Sequence, residues 1–195
     1  VVMPYRLSKD EIELKRVQQM ERADYVKILQ ESKNRKSFAP IAFEIAARIG
    51  ARVEGTVRLK AKDVYLSKDG RWNLGQVKLL EKGGRSRYVD IRTQDDRNFF
   101  EKLIAEKESD AQLVSISKGA IDKQLTRIMK VLGIKEKYAH TAMHSLRKLY
   151  AQETWDLCRQ SGMSYDQALM YLNEQLGHGK HRDVKLLAVY VKNMR

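Results

Sequence analysis

The stretch HSLRKLYAQ, residues 144–152, places two basic side chains on one face of a predicted helix. His144 and Arg147 are three residues apart, and residues at that spacing are neighbours on a helix surface. Like charges repel each other, so packing alone does not explain the pair. A guanidinium offers paired donors that match phosphate oxygens, and an imidazole beside it can donate to the same phosphate or move a proton. The pair therefore indicates an anion site; a solvated helix face with a capping histidine is the structural alternative.

The overall charge of the chain also indicates an anionic partner. The 195 residues carry a formal net charge of +13, and 43% of them are apolar, which is typical of a globular domain with its own core. A charge this large favours a polyanion as the partner. Nucleic acid is the first interpretation, and a membrane surface or an acidic protein are the alternatives.

The sequence gives no support to a membrane-spanning, secreted or disulfide-bonded class. No apolar run is long enough to cross a bilayer, and the first residues, VVMPYRLSKDE, lack the pattern of a signal peptide. Cys158 is the only cysteine, which excludes an intrachain disulfide and fits a reducing, cytosolic setting. We expect it to be a small buried apolar residue.

Helical and β patterns alternate along the chain and predict an α+β fold, mostly helical with a small three-stranded antiparallel sheet. A long charged helix is predicted over residues 9–32 with Ser8 as its N-cap, and a strongly apolar helix over residues 38–52, which Gly50 can end or bend. Short β-leaning runs with two turn signals, Asp69-Gly70 and Gly83-Gly84, predict the sheet. Helical pattern then returns over residues 96–108, 117–133, 141–160, 164–177 and 183–193.

Four further residues stand at or near the ends of predicted elements. Arg52 follows the most apolar helix, Lys82 lies at the two-glycine turn, and His178 follows the helix break at Leu176-Gly177. Tyr190 lies twelve residues later among apolar neighbours. Each has an ordinary structural interpretation when taken alone: a helix cap, a solvated turn lysine, a residue beside a C-terminal glycine and a core tyrosine.

Taken in order, these residues resemble the catalytic domain of the tyrosine recombinase (phage integrase) family. The matching segments are GARVEG, EKGGRSRYVDI, HSLRKLYA, LGH and VYV, which extend from about residue 40 to the end of the chain. The resemblance implies a site-specific DNA recombinase or integrase of a mobile genetic element. Such an enzyme cuts and rejoins double-stranded DNA through a 3′-phosphotyrosine intermediate and uses neither a metal nor another cofactor. It works as a dimer to tetramer on DNA, in a bacterial or phage-encoded, cytoplasmic setting.

The same resemblance implies a catalytic role for each matching side chain. Arg52 and Arg147 would hold the scissile phosphate, His144 would assist proton transfer or phosphate binding, Lys82 would protonate the 5′-oxygen leaving group, His178 would be a further phosphate donor, and Tyr190 would be the nucleophile. The chemistry fits these residue types. Attack on a phosphodiester builds negative charge on its non-bridging oxygens, which fixed cationic donors stabilise, and a phenol needs a cationic site to react near neutral pH.

One departure from the family pattern lies close to Arg52, and one other tyrosine competes with Tyr190. The third position after Arg52, where the family usually has an acidic residue, is Gly55, and Glu54 precedes it. Tyr171 is the nearest rival to Tyr190, but it precedes LGH and so fits the order badly.

DNA contact is also expected outside the catalytic residues. The helix predicted over residues 117–133 begins at Ser117 and carries Lys118, Lys123 and Arg127, a basic pattern that suits a DNA groove, with a solvated helix face as the alternative. We expect residues 1–35 to be an N-terminal entry segment and residues 36–195 to be the catalytic domain. A preceding DNA-clamping domain is expected to lie outside this chain.

Three other functions remain open from sequence alone. One is a DNA-binding protein that keeps the fold without turnover, and another is the related topoisomerase reaction, nicking and resealing of one duplex. The third is a metalloprotein, because His140 and His144 are four residues apart and His178 and His181 are three apart. The stretch HTAMH lacks the glutamate of a metalloprotease helix, and we therefore predict no metal site.

Overall fold

Seven α-helices, two short 3-10 helices and three strands lie in the part of the chain that the computed structural model describes. That part comprises residues 19–35, 38–68, 74–80, 84–138, 142–178 and 187–192. The α+β class predicted from sequence is confirmed. In chain order the elements are α1 (Arg22–Lys33), α2 (Ala39–Ile49), α3 (Val53–Arg58), β1 (Val64–Leu66), β2 (Gly75–Leu80), β3 (Ser86–Asp90), α4 (Gln94–Ile104), α5 (Lys118–Val131), α6 (Ala142–Gln160) and α7 (Tyr165–Leu176).

The sheet has the strand order β1–β2–β3 with antiparallel pairing throughout, as predicted. Val77 on the central strand pairs with Val64 on one side and Val89 on the other, and all three side chains are buried. Alternation along each strand therefore turns one face of the sheet to the core. Of the two predicted turn signals, Asp69-Gly70 and Gly83 lie outside the described residues.

Helix α2 lies at the centre of the molecule and packs against α6. Most of its side chains are fully buried, in keeping with the apolar run that predicted it: Ala42, Phe43, Ile45, Ala46 and Ile49. The prediction that Gly50 can end this helix is confirmed. Gly50 adopts the left-handed conformation and ends the helix, and α3 follows as a separate short helix that the sequence analysis did not predict.

The predicted charged helix over residues 9–32 is also wrong as a continuous element, because residues 19–21 are not helical. Met20 is buried and its amide donates to the carbonyl of Ser145 at 3.2 Å. The amide of Glu21 donates to the Tyr138 hydroxyl at 3.1 Å. These long-range bonds replace helical ones, and α1 begins only at Arg22. Residues 9–18 and Ser8 lie outside the described residues.

The four predicted helices between residues 96 and 177 are present as α4 to α7 with small shifts at their ends. Ser117 caps α5 as predicted, because its side chain accepts from the amide of Ala120. The helix predicted over residues 183–193 does not extend to its predicted end. In the described segment 187–192, the amides of Tyr190 and Val191 both donate to Leu187, and the chain then leaves helical geometry. Residues 183–186 and 193 lie outside the described part.

No described helix combines the length and apolar character that crossing a membrane requires.

Candidate active site

Two helices end at the same place in the fold, and their ends position the candidate site. Helix α2 ends at Gly50 and α7 at Gly177, with φ of +59° and +68°. Glycine adopts this left-handed conformation at little steric cost, so the chain can leave each helix abruptly. Arg52 follows the first glycine by two residues, and His178 follows the second directly. Both side chains line one cleft of about 1470 Å³.

The described walls of this cleft are predominantly cationic. They come from the start of α3, from β3 and the residue before it, from the first residue of α5, and from α6 and α7. A concave surface of one charge sign concentrates counter-ions in it, so an anionic ligand suits this cleft. Five arginines and lysines line it beside two glutamates: Arg52, Arg85, Arg87, Lys118 and Arg147, with Glu54 and Glu174.

Arg147 forms part of the cleft floor and fixes both helix ends. Its side chain is fully buried. One terminal nitrogen donates to the carbonyl of Gly50, and the other donates to the carbonyl of Leu176 at 2.6 Å. The carbonyls at a helix C-terminus carry partial negative charge and need donors, which a guanidinium supplies. Because a carbonyl is neutral, these two bonds leave the positive charge of Arg147 in place.

Tyr190 meets three of the other predicted site residues. Its ring centroid lies 5.3 Å from that of His144, 5.2 Å from that of His178 and 5.7 Å from the guanidinium carbon of Arg147. The side chain is 6% exposed. The structure thus brings together four residues that are spread over 47 positions of the sequence, His144 to Tyr190.

Arg52 stands at the N-cap position of α3 in an extended conformation, and its side chain is exposed on the cleft wall. Its own carbonyl accepts from the amide of Thr56 at 2.9 Å, which ties it to the short helix. Lys82, the sixth predicted catalytic residue, lies outside the described residues. It falls in the segment that joins β2 to β3.

The imidazole of His144 is electrostatically unusual. Burial lowers its pKa, and the positive charges of Arg147, Lys148 and Arg52, followed by His178, lower it further, to about 4. His144 is therefore neutral at pH 7 in the protein without ligand. A neutral imidazole can accept a proton at one nitrogen and donate a hydrogen bond from the other. A bound anion would favour its protonated form.

Tyr171, the rival nucleophile considered above, also lines the cleft but has a structural role. Its hydroxyl donates to a carboxylate oxygen of Asp90 at 3.1 Å. Burial raises the pKa of this phenol, and the charge of Asp90 raises it further. A phenol held as a donor to a carboxylate is a poor nucleophile, so the geometry favours Tyr190 over Tyr171.

The three basic residues predicted to contact DNA divide into two groups. Lys118, at the first position of α5, lines the cleft, and its ammonium pairs with the Glu54 carboxylate at 3.1 Å. Lys123 and Arg127 lie farther along α5 and are exposed. Because they are four residues apart, they share one helix face.

Sequence reasoning did not single out Arg87 or the pairing of Glu54 with Lys118. For Arg87 a signal was present: in SRYVD it alternates with the apolar Val89, which predicts that both face the core, where an arginine needs partners. For Glu54 no sequence signal connects it to a residue 64 positions away.

Within the described ranges, no group of three or more His, Cys, Asp or Glu side chains could hold a metal ion. His140 and His181, the partners considered for a zinc site, lie outside those ranges. Cys158 is buried, as expected, and burial raises the pKa of its thiol.

Comparison of sequences finds no matching family model and no matching curated protein. Comparison of structures does find matches. The XerH site-specific recombinase bound to its difH substrate superimposes with a TM-score of 0.59 at 17% identity, over 89% of this chain and 50% of XerH. The XerA recombinase gives 0.60 at 15% identity, over 90% of this chain and 61% of XerA. This chain therefore spans about half to three-fifths of their length.

A smaller protein matches over nearly its whole length. The catalytic core of lambda integrase gives a TM-score of 0.52 at 16% identity, over 84% of this chain and 93% of that core. The chain therefore has the fold of the catalytic domains of tyrosine recombinases, as its sequence resemblance predicted.

Proposed function

We propose that this chain is the catalytic domain of a site-specific DNA recombinase or integrase that breaks and rejoins strands through a 3′-phosphotyrosine intermediate. The observation that carries the proposal is the meeting of Tyr190 with His144, His178 and Arg147 at one cationic cleft. A phenol beside two imidazoles and a guanidinium has the groups that attack on a phosphodiester requires. The fold shared with XerH, which is bound to its DNA substrate, supports the same conclusion.

In the first step the Tyr190 hydroxyl oxygen attacks the scissile phosphorus. A bond forms between phosphorus and the tyrosine oxygen, and the bond from phosphorus to the 5′-oxygen breaks. The phenol proton passes to a base, and the neutral imidazole of His144, whose ring centroid lies 5.3 Å from that of Tyr190, can accept it. The electron pair of the broken bond stays on the 5′-oxygen, which takes a proton from Lys82. Attack by the 5′-hydroxyl of another strand reverses these steps and releases Tyr190.

The positive groups of the cleft stabilise the charge that develops on the non-bridging oxygens. Arg147 is fixed before the reaction by its bonds to two helix ends, so it needs no reorganisation as charge builds. Arg52 and His178 enter the same cleft from those helix ends. Because the side chains supply positive charge, no metal ion is required. The phosphotyrosine ester conserves the bond energy, so no nucleotide cofactor is required either.

Double-stranded DNA is the proposed partner, and Lys123 and Arg127 on the exposed face of α5 are the proposed contacts to it beyond the cleft. Exchange between two duplexes needs one nucleophile for each strand that is cut. We therefore propose that the protein assembles as a dimer to tetramer on DNA, in the cytoplasm of a bacterium. Residues 36–195 would form the catalytic domain, and residues 1–35 would be the N-terminal entry segment that leads into it.

Trapping on a suicide DNA substrate tests the proposal directly, with the native protein that contains this domain. The wild type should form a covalent adduct that peptide mapping assigns to Tyr190. Tyr190→Phe removes one oxygen atom, so the fold and DNA binding should survive while the adduct disappears. Tyr171→Phe is the matched control and should keep the adduct. An adduct that maps to another residue would overturn the assignment. DNA binding without any adduct would leave a DNA-binding protein that does not turn over.

A further inference from the structure

Arg87 joins the sheet to both helix ends that carry the candidate site. It lies on β3 opposite Leu79, on the face of the sheet that turns to the core. One terminal nitrogen of its guanidinium donates to the carbonyl of Gln175, in the last turn of α7. The other donates to the carbonyl of Gly50 at 3.2 Å, at the end of α2. One side chain of the sheet thus holds the ends of two helices.

The carbonyl of Gly50 receives a second guanidinium, that of Arg147. Arg147 also binds Leu176, the residue after the one that Arg87 binds. A carbonyl oxygen has two lone pairs and can accept both donors. Two arginines, one from the sheet and one from α6, therefore hold the same two helix ends from two directions. Arg147 can satisfy the Gly50 carbonyl alone, so the Arg87 bond adds a geometric constraint.

Gly177 provides the space in which the Arg87 side chain lies. A Cβ atom on residue 177 would come within 2.7 Å of Cδ and 3.3 Å of Nε of Arg87. The first distance is shorter than real contacts allow, so any larger residue must displace Arg87. The glycine is thus required by its backbone conformation and also by the arginine that packs against it.

We propose that Arg87 is a positioning residue that fixes Arg52 and His178 relative to each other around the scissile phosphate. The inference rests on the proposed function. Arg52 lies two residues beyond the Gly50 carbonyl and His178 one residue beyond Gly177, so a shift of either helix end moves a phosphate-binding group. Misplacement of catalytic groups by about 1 Å can cost about 100-fold in rate. Arg87 acts through the carbonyls that it binds.

Two glycine variants test this with matched backbone strain. Gly177→Ala and Gly133→Ala both place a Cβ at a residue with φ of +68°, each just beyond the C-terminus of a helix. Gly133 has open space around it, whereas Gly177 meets Arg87. Both variants should therefore have similar backbone strain, and Gly177→Ala should in addition disturb the bonds of Arg87 to the two helix ends. In single-turnover cleavage at saturating DNA, Gly177→Ala should be about 10- to 100-fold slower than Gly133→Ala.

We call Arg52, Arg147 and His178 the phosphate clamp. A neutral DNA substrate distinguishes a displaced clamp from a general structural effect of the substitution. A methylphosphonate at the scissile position replaces one charged non-bridging oxygen by a methyl group, so it depends less on the cationic clamp. If Arg87 positions that clamp, the two glycine variants should cleave the methylphosphonate at nearly equal rates. If the slower cleavage by Gly177→Ala is the same on both substrates, or if the two variants are equal on ordinary DNA, the proposal is wrong.

A second pair keeps the test valid if Gly177→Ala does not fold. Arg87→Lys keeps the charge but not the two-pronged donor pattern. Arg92→Lys makes the same change at a buried arginine that also bonds a helix carbonyl, that of Tyr150, away from the cleft. Only Arg87→Lys should show the rate loss that the methylphosphonate relieves. Reduced DNA affinity with normal cleavage at saturation would instead make Arg87 a direct DNA contact. If the wild type forms no adduct, the proposed function fails, whatever these variants do.

Discussion

Arg52 and Arg147 are the two arginines of the proposed phosphate clamp. Replacing each by lysine should separate its contribution to stability from its contribution to cleavage. Arg147→Lys removes at least one of the bonds to Gly50 and Leu176, because one ammonium cannot reproduce the guanidinium geometry. A hydrogen bond to a charged group contributes about 1.5–3 kcal/mol, and an orphaned buried carbonyl costs about 1–3 kcal/mol. We expect the free energy of unfolding to fall by about 2–4 kcal/mol. For a domain of this size that lowers Tm by about 5–15 °C.

Arg52→Lys changes an exposed side chain and leaves the bond from the Thr56 amide to the carbonyl of residue 52 in place. Its stability should stay within about 0.5 kcal/mol of the wild type. Both variants should still lose about 100-fold or more in cleavage rate, because the paired donors to the phosphate are lost in each.

Urea unfolding and single-turnover adduct formation, at a temperature where every variant is folded, measure the two effects separately. DNA binding should fall much less than cleavage, since many other basic residues contribute to it. Near-normal cleavage by Arg147→Lys would refute the clamp. An Arg147→Lys protein as stable as the wild type would refute the anchoring of the two helix ends.

The remaining predictions concern the leaving group, salt and pH. Lys82→Ala should cleave ordinary DNA slowly but be rescued by a 5′-bridging sulfur, whose leaving group hardly needs a proton; without rescue the acid lies elsewhere, with His144 the next candidate. DNA affinity should fall steeply as the salt concentration rises. Lys123→Gln and Arg127→Gln should each reduce the slope of the logarithm of the binding constant against the logarithm of the salt concentration by about 0.9. Lys102→Gln on α4 is the control and should leave this slope unchanged. The pKa of His144 is about 4 in the folded protein and about 6.5 in the unfolded chain, so the unfolded state binds the proton first as pH falls. The free energy of unfolding should therefore decrease between about pH 6.5 and pH 4, by at most about 3 kcal/mol. Urea unfolding of His144→Asn at both pH values should lack this component, and an unchanged pH dependence would contradict it.

Local patterns predicted most of the fold, and they failed where distant partners compete for the backbone. Ser117 begins α5 because its cap bond is local, and local bonds can be predicted from neighbouring residues. The break at residues 19–21 depends on Tyr138 and Ser145, which are more than 110 positions away. No local pattern contains that information, so the predicted helix continued through the break.

The candidate site, like the fold, has features that the sequence predicts and features that depend on distant partners. The residue types and their order predicted which side chains would meet, and the structure brings His144, Arg147, His178 and Tyr190 together. The way they are held could not be predicted, because it depends on main-chain carbonyls of Gly50 and Leu176 that have no sequence signature.

The electrostatics of the cleft link its structure to its proposed ligand. Burying Arg147, whose terminal nitrogens donate to two neutral carbonyls, places a positive charge where water cannot solvate it well. The same charge, together with burial, keeps His144 deprotonated. A phosphodiester entering the cleft would offset the repulsion among the cationic groups and favour protonation of His144. Proton transfer from Tyr190 to His144 would thus become easier only after the phosphate has arrived, which restricts nucleophile activation to the DNA-bound state. Uptake of a proton on binding DNA near pH 6, absent in His144→Asn, is the expected signature of that coupling, and its absence from the wild type would refute it.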